Sequence, residues 1–445
     1  MSEEKVIFCG NNERYLAKEL IENSDDANSG SAFRIPSIIN ANGTLVCAVA
    51  KQKSGDNWGF IELAIRRSED GGESWSSIES IATPPARATK SSSVSYASAF
   101  FTNPSMAIAP NGDIIMLVEF YPESWGYDNR RLVDKKKLAY SMYNKKMCPI
   151  LYDKKGRFYL VTENGVVLNN KYNETSYRVT DWRGSLYYND EYMGNIFLNG
   201  QTGEHNENTT FGAPLKRPKR NYIYMLRSSD NGKTWSEPCD ITGDILIKDD
   251  GAFINVSSGV GLTTTDGKII MPLYVSNKES IAIYSNDNAE KWSRTASQPY
   301  CCNKDEWQLV QANDEIILGL GRQKSYGKTP LSISTSKGTK WEENGDTKLF
   351  APKCQKSIIS IGDYVFCSHP SERKRENGVI TIGKFTKVKG KTNNISWFSE
   401  VEINSGYFAY SCLCQIDEES IGVLYEAQPS SYICFKKYKI DDLIK

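Results

Sequence analysis

The side chains in this sequence that could bind or react are mainly arginines and carboxylates, because histidine is nearly absent. Only His205 and His369 occur among 445 residues, which argues against a Ser-His-Asp mechanism and against a His-rich metal centre. Lys and Arg together number 54, and so do Asp and Glu. This balance leaves no basic field for nucleic acid or an anionic membrane surface, so neither partner is expected. Any anion that the protein binds must be held by a local cluster of arginines.

Arg34 is the first candidate for such a cluster. It lies in Phe33-Arg34-Ile35-Pro36, directly before the strand-like residues 37–39. A guanidinium presents paired planar donors that match a carboxylate, and it keeps its charge. Taken alone, Arg34 would be interpreted as a solvated surface charge. Asp56, 22 residues later between Gly55 and Asn57, could equally form a turn.

The elements that must position these residues are short strands. Alternating or β-branched runs recur, for example at residues 44–49, 114–118 and 316–318, with turn clusters such as 111–113 and 265–267 between them. This pattern is typical of an all-β protein. No run approaches the roughly 20 apolar residues that cross a bilayer, so no membrane span is expected.

A repeated motif is superimposed on these strands. Residues 68–75 and 228–235 fit the pattern S-x-D-x-G-x-x-W, while 285–292 and 334–341 are degenerate copies with Ala289 and Ser336 at the Gly and Asp positions. Asp accepts backbone N–H bonds in a turn, Gly tolerates positive φ, and Trp packs between sheets. The motif is therefore interpreted as structural, and Asp70 and Asp230 are not catalytic candidates. The motif tryptophans Trp235, Trp292 and Trp341 are 57 and 49 positions apart, close to the length of a four-stranded propeller blade.

These repeats resemble the Asp boxes of the sialidase superfamily. Arg34 of the Phe33–Pro36 motif lies 34 residues before Ser68, which begins the first box. With this spacing the chain resembles bacterial and trypanosomal sialidases from about residue 30 to its end. The resemblance implies an all-β fold, a six-bladed β-propeller with a small inserted β-rich domain. Residues 1–145 would form the first part of the propeller, 146–205 the insertion, and 206–445 the remainder. The turn-rich insertion would buttress the propeller or contact carbohydrate.

The same resemblance implies three arginines that bind the carboxylate of a sialic acid. They would be Arg34, Arg322 at the end of residues 315–322, and Arg375 just before the strand-like residues 379–382. Arg373 is an alternative for the third position.

A tyrosine nucleophile is also implied, because a carboxylate nucleophile would be repelled by the carboxylate of the substrate. Tyr410, in Ala409-Tyr410-Ser411, occupies that position in the motif. Free Tyr has a pKa near 10 and needs an adjacent base. That base would be Glu306, with Asp305 as an alternative.

The remaining implied roles belong to residues from distant parts of the chain. Asp56 would protonate the leaving group and later activate water, and Glu426 would hold Arg34 in place. Asn103 stands before Pro104 where many relatives have Asp, so it would bind ring substituents without a charge. Trp125 and Tyr127 would wall the rim of the site and stack on the leaving sugar, or pack in the core.

The activity implied by this resemblance is the retaining hydrolysis of terminal α-linked sialic acids, without a metal or other cofactor. The partners would be sialylated glycans of glycoproteins, glycolipids or oligosaccharides, and the protein would be a monomer. Alternatives are an intramolecular trans-sialidase that releases an anhydro sugar, and a non-catalytic sialic-acid-binding propeller. The lack of a Trp near Arg375 in the sequence favours hydrolysis. The charged start, residues 1–5, lacks an apolar signal core, which predicts a cytoplasmic protein or a secreted one whose leader has been removed.

Overall fold

Antiparallel β-sheets account for most of the structure. The computed structural model describes residues 4–10, 32–52, 59–86, 98–126, 137–199, 212–247, 250, 253–275, 280–295, 306–388, 391–429 and 432–445. The first strand is β1 (Lys5–Cys9), and two single-turn helices are α1 (Thr242–Ile245) and α2 (Ile440–Leu443). No helix among these residues is long and apolar enough to cross a membrane.

Six of the sheets in these ranges form the blades of a propeller, which confirms the predicted fold class. Blade 1 contains β2 (Ala32–Ala41), β3 (Thr44–Gln52), β4 (Ile61–Ser68) and β5 (Glu79–Ala82). Blade 2 contains β6 (Phe100–Ile108), β7 (Ile114–Tyr121), β15 (Tyr222–Ser228) and β16 (Cys239–Asp240), and the short β18 (Gly259–Val260) pairs with β6 in parallel. Blade 3 contains β17 (Ile254–Val256), β19 (Leu262–Thr263), β20 (Ile269–Val275), β21 (Ser280–Ser285) and β22 (Ser293–Arg294).

The second half of the chain forms the other three blades. Blade 4 contains β23 (Trp307–Gln311), β24 (Ile317–Gly321), β25 (Gly327–Ser334) and β26 (Glu342–Ala351). Blade 5 contains β27 (Ser357–Ile361), β28 (Tyr364–Pro370), β29 (Glu376–Val388) and β30 (Lys391–Tyr407). Blade 6 contains β31 (Ser411–Gln415), β32 (Ser420–Gln428) and β33 (Tyr432–Lys439), with β1 as its outer strand. Because β1 pairs with β33, strands from both ends of the sequence close the ring.

The first strand of each blade lies on the inside of the ring. Strand β2 contacts β6 and β31, and β27 contacts β23 and β31. Four of the inner strands, β2, β6, β27 and β31, each carry a small and fully buried serine, which allows the strands to converge; these are Ser37, Ser105, Ser357 and Ser411. Side chains at the ends of the inner strands therefore meet around one axis.

The Asp boxes lie in the turns between the third and fourth strands of blades 1 to 4, as structural turns. In the first box Asp70 accepts a hydrogen bond from Ser74 N–H at 2.9 Å, and Gly72 N–H donates to Ser68 Oγ at 2.8 Å. The indole of Trp75 packs edge-on against Phe435 of blade 6 at 5.3 Å. The second box repeats these bonds around Asp230.

The two degenerate boxes keep the same turn with altered chemistry. Ala289, which replaces the Gly, has φ of 66°, a left-handed conformation that costs a non-glycine residue about 1–2 kcal/mol. Ser336, which replaces the Asp, still accepts a hydrogen bond from Lys340 N–H at 2.9 Å. The turn geometry therefore survives both substitutions.

A seven-stranded antiparallel sheet is inserted between β7 and β15 of blade 2. Its strands follow one another in a meander: β8 (Tyr140–Tyr143), β9 (Lys146–Tyr152), β10 (Phe158–Val161), β11 (Val166–Leu168), β12 (Glu174–Val179), β13 (Ser185–Tyr188) and β14 (Glu191–Asn195). One face shares a hydrophobic cluster with blade 2, in which Val161 and Leu186 lie together with Phe101 and Phe120. The sheet is thus packed onto the propeller. The division of the chain at residues 146 and 205 stays a prediction.

Candidate active site

Arg34 reaches the site from a bulge in the inner strand of blade 1. The register of β2 on β3 shifts between Arg34 and Ser37, because Pro36 has no N–H to donate to the ladder. Ile35 takes a left-handed φ of 61° there. Its N–H donates to Glu426 Oε1 at 2.9 Å instead of to a strand partner. The motif residues thus turn the Arg34 side chain out of the sheet and toward the axis.

Glu426, on β32, is the carboxylate that holds this arginine. Its Oε1 lies 3.2 Å from Arg34 Nε, and its Oε2 lies 3.5 Å from Arg34 Nη2. Glu426 is fully buried, whereas the Arg34 side chain retains 16% exposure. Burial opposes the charge of Arg34, yet the pKa of the guanidinium is raised because Glu426 and nearby tyrosines outweigh that penalty.

Tyr410 and Glu306 form a short hydrogen bond at the centre of the site. The Tyr410 hydroxyl donates to Glu306 Oε1 at 2.5 Å, and the two residues are 8% and 5% exposed. Glu306 begins blade 4 just before β23, and Tyr410 precedes β31 of blade 6. The propeller therefore joins residues 104 positions apart in the sequence.

Arg322 contacts both members of this pair. It follows β24, and its backbone N–H donates to Glu306 O at 2.7 Å, which fixes its position beside the start of β23. Its Nη1 donates to Glu306 Oε2 and lies 3.1 Å from the Tyr410 hydroxyl. The Tyr410 oxygen therefore has a carboxylate on one side and a guanidinium on the other.

Arg375 completes a group of three guanidiniums around Tyr410. The Cζ atoms of Arg34 and Arg375 each lie 5.4 Å from the centroid of the tyrosine ring. The Arg375 carbonyl accepts a hydrogen bond from Phe408 N–H at 2.9 Å, which ties β29 to the segment before Tyr410. Arg373 is exposed and lies instead over the Tyr326 ring. Of the two arginines considered for this position, Arg375 is the one at Tyr410.

The protonation of Tyr410 follows from these neighbours. Burial raises the pKa of its hydroxyl, and the negative charge of Glu306 raises it further, while the three arginines lower it. The net shift is upward, so the hydroxyl is protonated in the empty site. Attack by this oxygen thus requires Glu306 to accept its proton as the new bond forms.

Asn103 and Trp125 occupy very different surroundings in blade 2. Asn103 lies in a bulge of β6 with φ of 54°, and its Nδ2 donates to Glu119 Oε1 at 2.8 Å. Trp125 is 1% exposed and stacks on Phe253 with ring centroids 5.9 Å apart. Trp125 is therefore packed in the core, the second of the two roles expected for it, and its stacking on a leaving sugar stays a prediction. Asp56 and Tyr127 lie outside the described residues.

Two residues near the site were missed from the sequence. Glu119 is a 1% exposed carboxylic acid on β7, and Tyr407 interacts through its hydroxyl with Arg375. Glu119 could have been noticed, since it interrupts an otherwise apolar run at residues 114–120 and a buried acid needs a reason. Nothing comparable distinguishes Tyr407 from the other 24 tyrosines.

Together these groups form a site with two chemical capabilities. Three guanidiniums from blades 1, 4 and 5 can bind a small carboxylate in a planar, charge-assisted manner. A tyrosine paired with a glutamate can act as an oxygen nucleophile with its own base. Among the described residues, no three His, Cys, Asp or Glu side chains are grouped closely enough to hold a metal ion.

Comparison with known proteins identifies the family. A model of the BNR repeat-like domain matches residues 35–362. The chain is 24% identical to the anhydrosialidase of Macrobdella decora and 25% identical to sialidase B of Streptococcus pneumoniae serotype 4, over 94% and 93% of its length. It spans less than two thirds of those curated relatives, 62% and 64% respectively.

A solved structure supports the fold over the same extent. The intramolecular trans-sialidase from Ruminococcus gnavus superposes with a TM-score of 0.79 at 23% identity, covering 92% of this chain and 95% of that one. At this identity the likeness establishes the propeller fold. With a family model over most of its length and sialidase relatives along nearly all of it, the chain belongs to the BNR-repeat family of bacterial-type sialidases.

Proposed function

We propose that this chain is an exo-α-sialidase that cleaves terminal sialic acids through a covalent intermediate on Tyr410. The observation that carries the proposal is the 2.5 Å hydrogen bond from Tyr410 to Glu306, set among Arg34, Arg322 and Arg375. A binding protein would use the arginines but has no need of a tyrosine coupled to a base.

The arginines explain why the nucleophile is a neutral group. The anomeric carbon of a sialic acid carries a carboxylate, which three guanidiniums can bind while they hold that carbon next to Tyr410. An ionised Asp or Glu nucleophile would approach this carboxylate against charge repulsion, and sialidases use Tyr for this step. Tyr410 attacks as a neutral hydroxyl that loses its proton only during bond formation.

In the first half-reaction a bond forms between the Tyr410 oxygen and the anomeric carbon, and the bond from that carbon to the leaving oxygen breaks. Glu306 takes the proton of Tyr410. Asp56 gives a proton to the leaving oxygen. In the second half-reaction Asp56 deprotonates a water that attacks the anomeric carbon, and Glu306 returns its proton to Tyr410. Two inversions at one carbon give net retention.

A second candidate differs only in the second half-reaction. In an intramolecular trans-sialidase a hydroxyl of the bound sugar replaces water and forms an anhydro product. Two findings favour this candidate: one relative over 94% of the chain is an anhydrosialidase, and the Ruminococcus gnavus structure is named an intramolecular trans-sialidase. The lack of a Trp in residues 368–382 supports water over a sandwiched external acceptor and does not distinguish water from the sugar's own hydroxyl.

One assay separates these possibilities. The protein is incubated with a fluorogenic α-sialoside, and the released sugar is identified by mass spectrometry. Free sialic acid supports hydrolysis, whereas a product lighter by one water supports the intramolecular reaction. Binding of sialic acid without release of the fluorophore would contradict the enzymatic proposal.

Tyr410→Phe tests the nucleophile. We expect kcat to fall by about 10³-fold or more, because the ring stays in place and only the attacking oxygen is removed. Sialic acid binding, measured by calorimetry, should change by less than about threefold, since the arginine contacts remain. Unchanged turnover would refute the assignment of Tyr410.

Tyr140→Phe is a matched control for that variant. The Tyr140 hydroxyl also donates to a carboxylate at 2.5 Å, Asp240 Oδ2, and also has an arginine beside it, with Arg217 Nη2 at 2.7 Å. This second tyrosine–carboxylate–arginine group lies where the inserted sheet meets blade 2, away from the proposed site. Its loss should reduce stability and leave kcat unchanged.

A further inference from the structure

A buried polar network lies behind Asn103 and extends away from the candidate site. Glu119 Oε1 accepts hydrogen bonds from Asn103 Nδ2 and from Val256 N–H, both at 2.8 Å. Glu119 Oε2 lies 2.8 Å from the hydroxyl of Tyr121, and that hydroxyl lies 3.1 Å from Asn255 Oδ1. Glu119 is thus bonded to strands β6 and β17 of two neighbouring blades.

The orientation of the network is fixed at its far end by Asn221. Asn221 Nδ2 donates to Ile254 O at 2.6 Å, and its Oδ1 accepts from Ile254 N–H at 3.1 Å. These two backbone bonds determine which atom of the Asn221 amide is nitrogen. The same Nδ2 lies 3.0 Å from Asn255 Oδ1, so turning the Asn255 amide over would place two NH₂ groups against each other.

Counting protons along this chain of contacts decides the state of Glu119. The Tyr121 hydroxyl has one hydrogen but lies between two oxygens, Asn255 Oδ1 and Glu119 Oε2. If Tyr121 donates to Asn255, its own oxygen faces Glu119 Oε2 as an acceptor. A proton on Glu119 Oε2 completes that contact, whereas an ionised Glu119 leaves one of the two oxygen–oxygen contacts without a hydrogen.

The electrostatic surroundings agree with this count. Among the described residues no Lys or Arg forms an ion pair with Glu119, and its side chain is buried. Burial raises the pKa of the Glu119 carboxyl to about 8 against the opposing contacts with Asn103, Tyr121 and Val256, and the charge of Glu306 adds to the increase. Among the described residues, the titratable groups with the largest influence on it are Tyr121 on its own strand and Glu306 at the start of blade 4.

We propose that Glu119 is a neutral carboxylic acid that positions Asn103, so that the amide nitrogen is held and the amide oxygen is presented to the substrate. Asn103 has a left-handed backbone, with φ of 54°, and lies in the bulge of β6, the inner strand of blade 2. A ligand group that donates a hydrogen bond, a hydroxyl or an amide N–H, is then the preferred partner of Asn103. This role rests on the proposed sialidase function, while the protonation of Glu119 does not.

Infrared difference spectroscopy tests the protonation directly. The spectrum of the wild type minus that of Glu119→Gln at pH 6 should contain the carbonyl band of a protonated carboxyl group, and this band should be lost above about pH 8. Carboxylate bands at pH 6 in place of it would overturn the proposal. The measurement needs no turnover, so it remains decisive even if the protein proves not to be a sialidase.

Stability supplies a second readout with a defined sign. The folded-state pKa of about 8 is raised above the ordinary value of 4.5, so between these pH values the unfolded chain loses a proton that the folded chain keeps. The wild type should therefore lose stability relative to Glu119→Gln as pH rises from 4.5 to about 8, and the difference should become constant above that. A difference that is independent of pH would contradict a neutral Glu119.

The positioning role is tested by a pair of substitutions. Glu119→Met removes both the acceptor for Asn103 and the donor to Tyr121, and we expect KM to rise about tenfold with kcat changed by less than threefold, since one oriented hydrogen bond is lost. Glu119→Gln keeps the donor–acceptor arrangement of a protonated carboxyl, so it should recover most of that loss. A rise in KM as large for Gln as for Met would refute the role.

Discussion

Glu426→Gln removes the negative charge of Glu426 and replaces one of its two carboxylate oxygens by an NH₂ group. The amide is isosteric with the carboxylate, and its oxygen can still accept the hydrogen bond from Ile35 N–H. What is lost is the anionic partner of Arg34, whose side chain is only 16% exposed beside a fully buried Glu426. The variant therefore tests the charge of Glu426 together with its second contact to Arg34, from Oε2 to Nη2 at 3.5 Å.

The expected cost can be worked out from that geometry. Breaking a buried ion pair by removing one partner costs about 3–5 kcal/mol, because the remaining charge is left uncompensated. Arg34 retains some solvent, and the Ile35 bond survives, so we place the loss of unfolding free energy at the lower end, about 3 kcal/mol. For function, a guanidinium that loses one charge-assisted contact forfeits about 1.5 kcal/mol of oriented binding, which corresponds to about a tenfold increase in KM.

The assay combines urea unfolding, followed by tryptophan fluorescence, with initial rates on a fluorogenic sialoside. Asp250→Asn is the control, because Arg294 Nη1 contacts both oxygens of Asp250 at 2.6 Å and the side chains are 13% and 1% exposed. This pair lies in blade 3, away from Tyr410. Asp250→Asn should lose a similar unfolding free energy with no change in KM. Equal losses of stability with an unchanged KM in both variants would refute the idea that Glu426 positions Arg34.

Two further predictions concern residues outside the nucleophile system. Trp125→Ala should lower the unfolding free energy by about 3–5 kcal/mol, as expected for a large buried ring, and KM should stay within twofold of wild type. A rise in KM without this loss of stability would support a position for Trp125 at the rim of the site. Asp230→Asn should destabilise the protein at pH 7, because bonds from the Thr234 hydroxyl and N–H lower the pKa of Asp230 to about 2. Because the folded-state pKa of Asp230 is depressed, its ionised form stabilises the protein above about pH 4, and this effect is lost as pH falls to 2. The unfolding free energies of wild type and Asp230→Asn, measured with urea, should therefore converge at pH 2. A difference in unfolding free energy that persists at pH 2 would contradict this role of Asp230.

The Asp boxes could be predicted from the sequence because their information is local. Each box places its donors and acceptors within eight residues, so Asp70 and Ser74 are certain to be near each other once the turn forms. The same holds for the bulge at Arg34, which Pro36 imposes on its own strand. The all-β class follows from such repeated local signals, whereas the number of six blades was implied by the resemblance to sialidases.

The burial of Trp125 could not be predicted from local sequence signals. Its burial depends on Phe253, a residue 128 positions later that approaches only when blade 3 stands beside blade 2. Glu119 was missed for a related reason, since Asn103, Val256 and Tyr121 reach it from three strands and none of these contacts leaves a pattern in the sequence. The inserted sheet, expected as a small β-rich domain, shares a hydrophobic cluster with Phe101 and Phe120 that only the packed structure reveals.

The pairing of β1 with β33 makes the order of synthesis matter. During translation residues 5–9 leave the ribosome long before their partner residues 432–435 are made. Until β33 is made, β1 has no strand in blade 6 to pair with, and Arg34 and Glu306 likewise lack Glu426 and Tyr410 until those later residues are made. Five blades can form on the growing chain while the carboxylate-binding and nucleophilic groups are still incomplete. A nascent chain therefore lacks both the Tyr410–Glu306 pair and the Arg34–Glu426 pair until blade 6 is made.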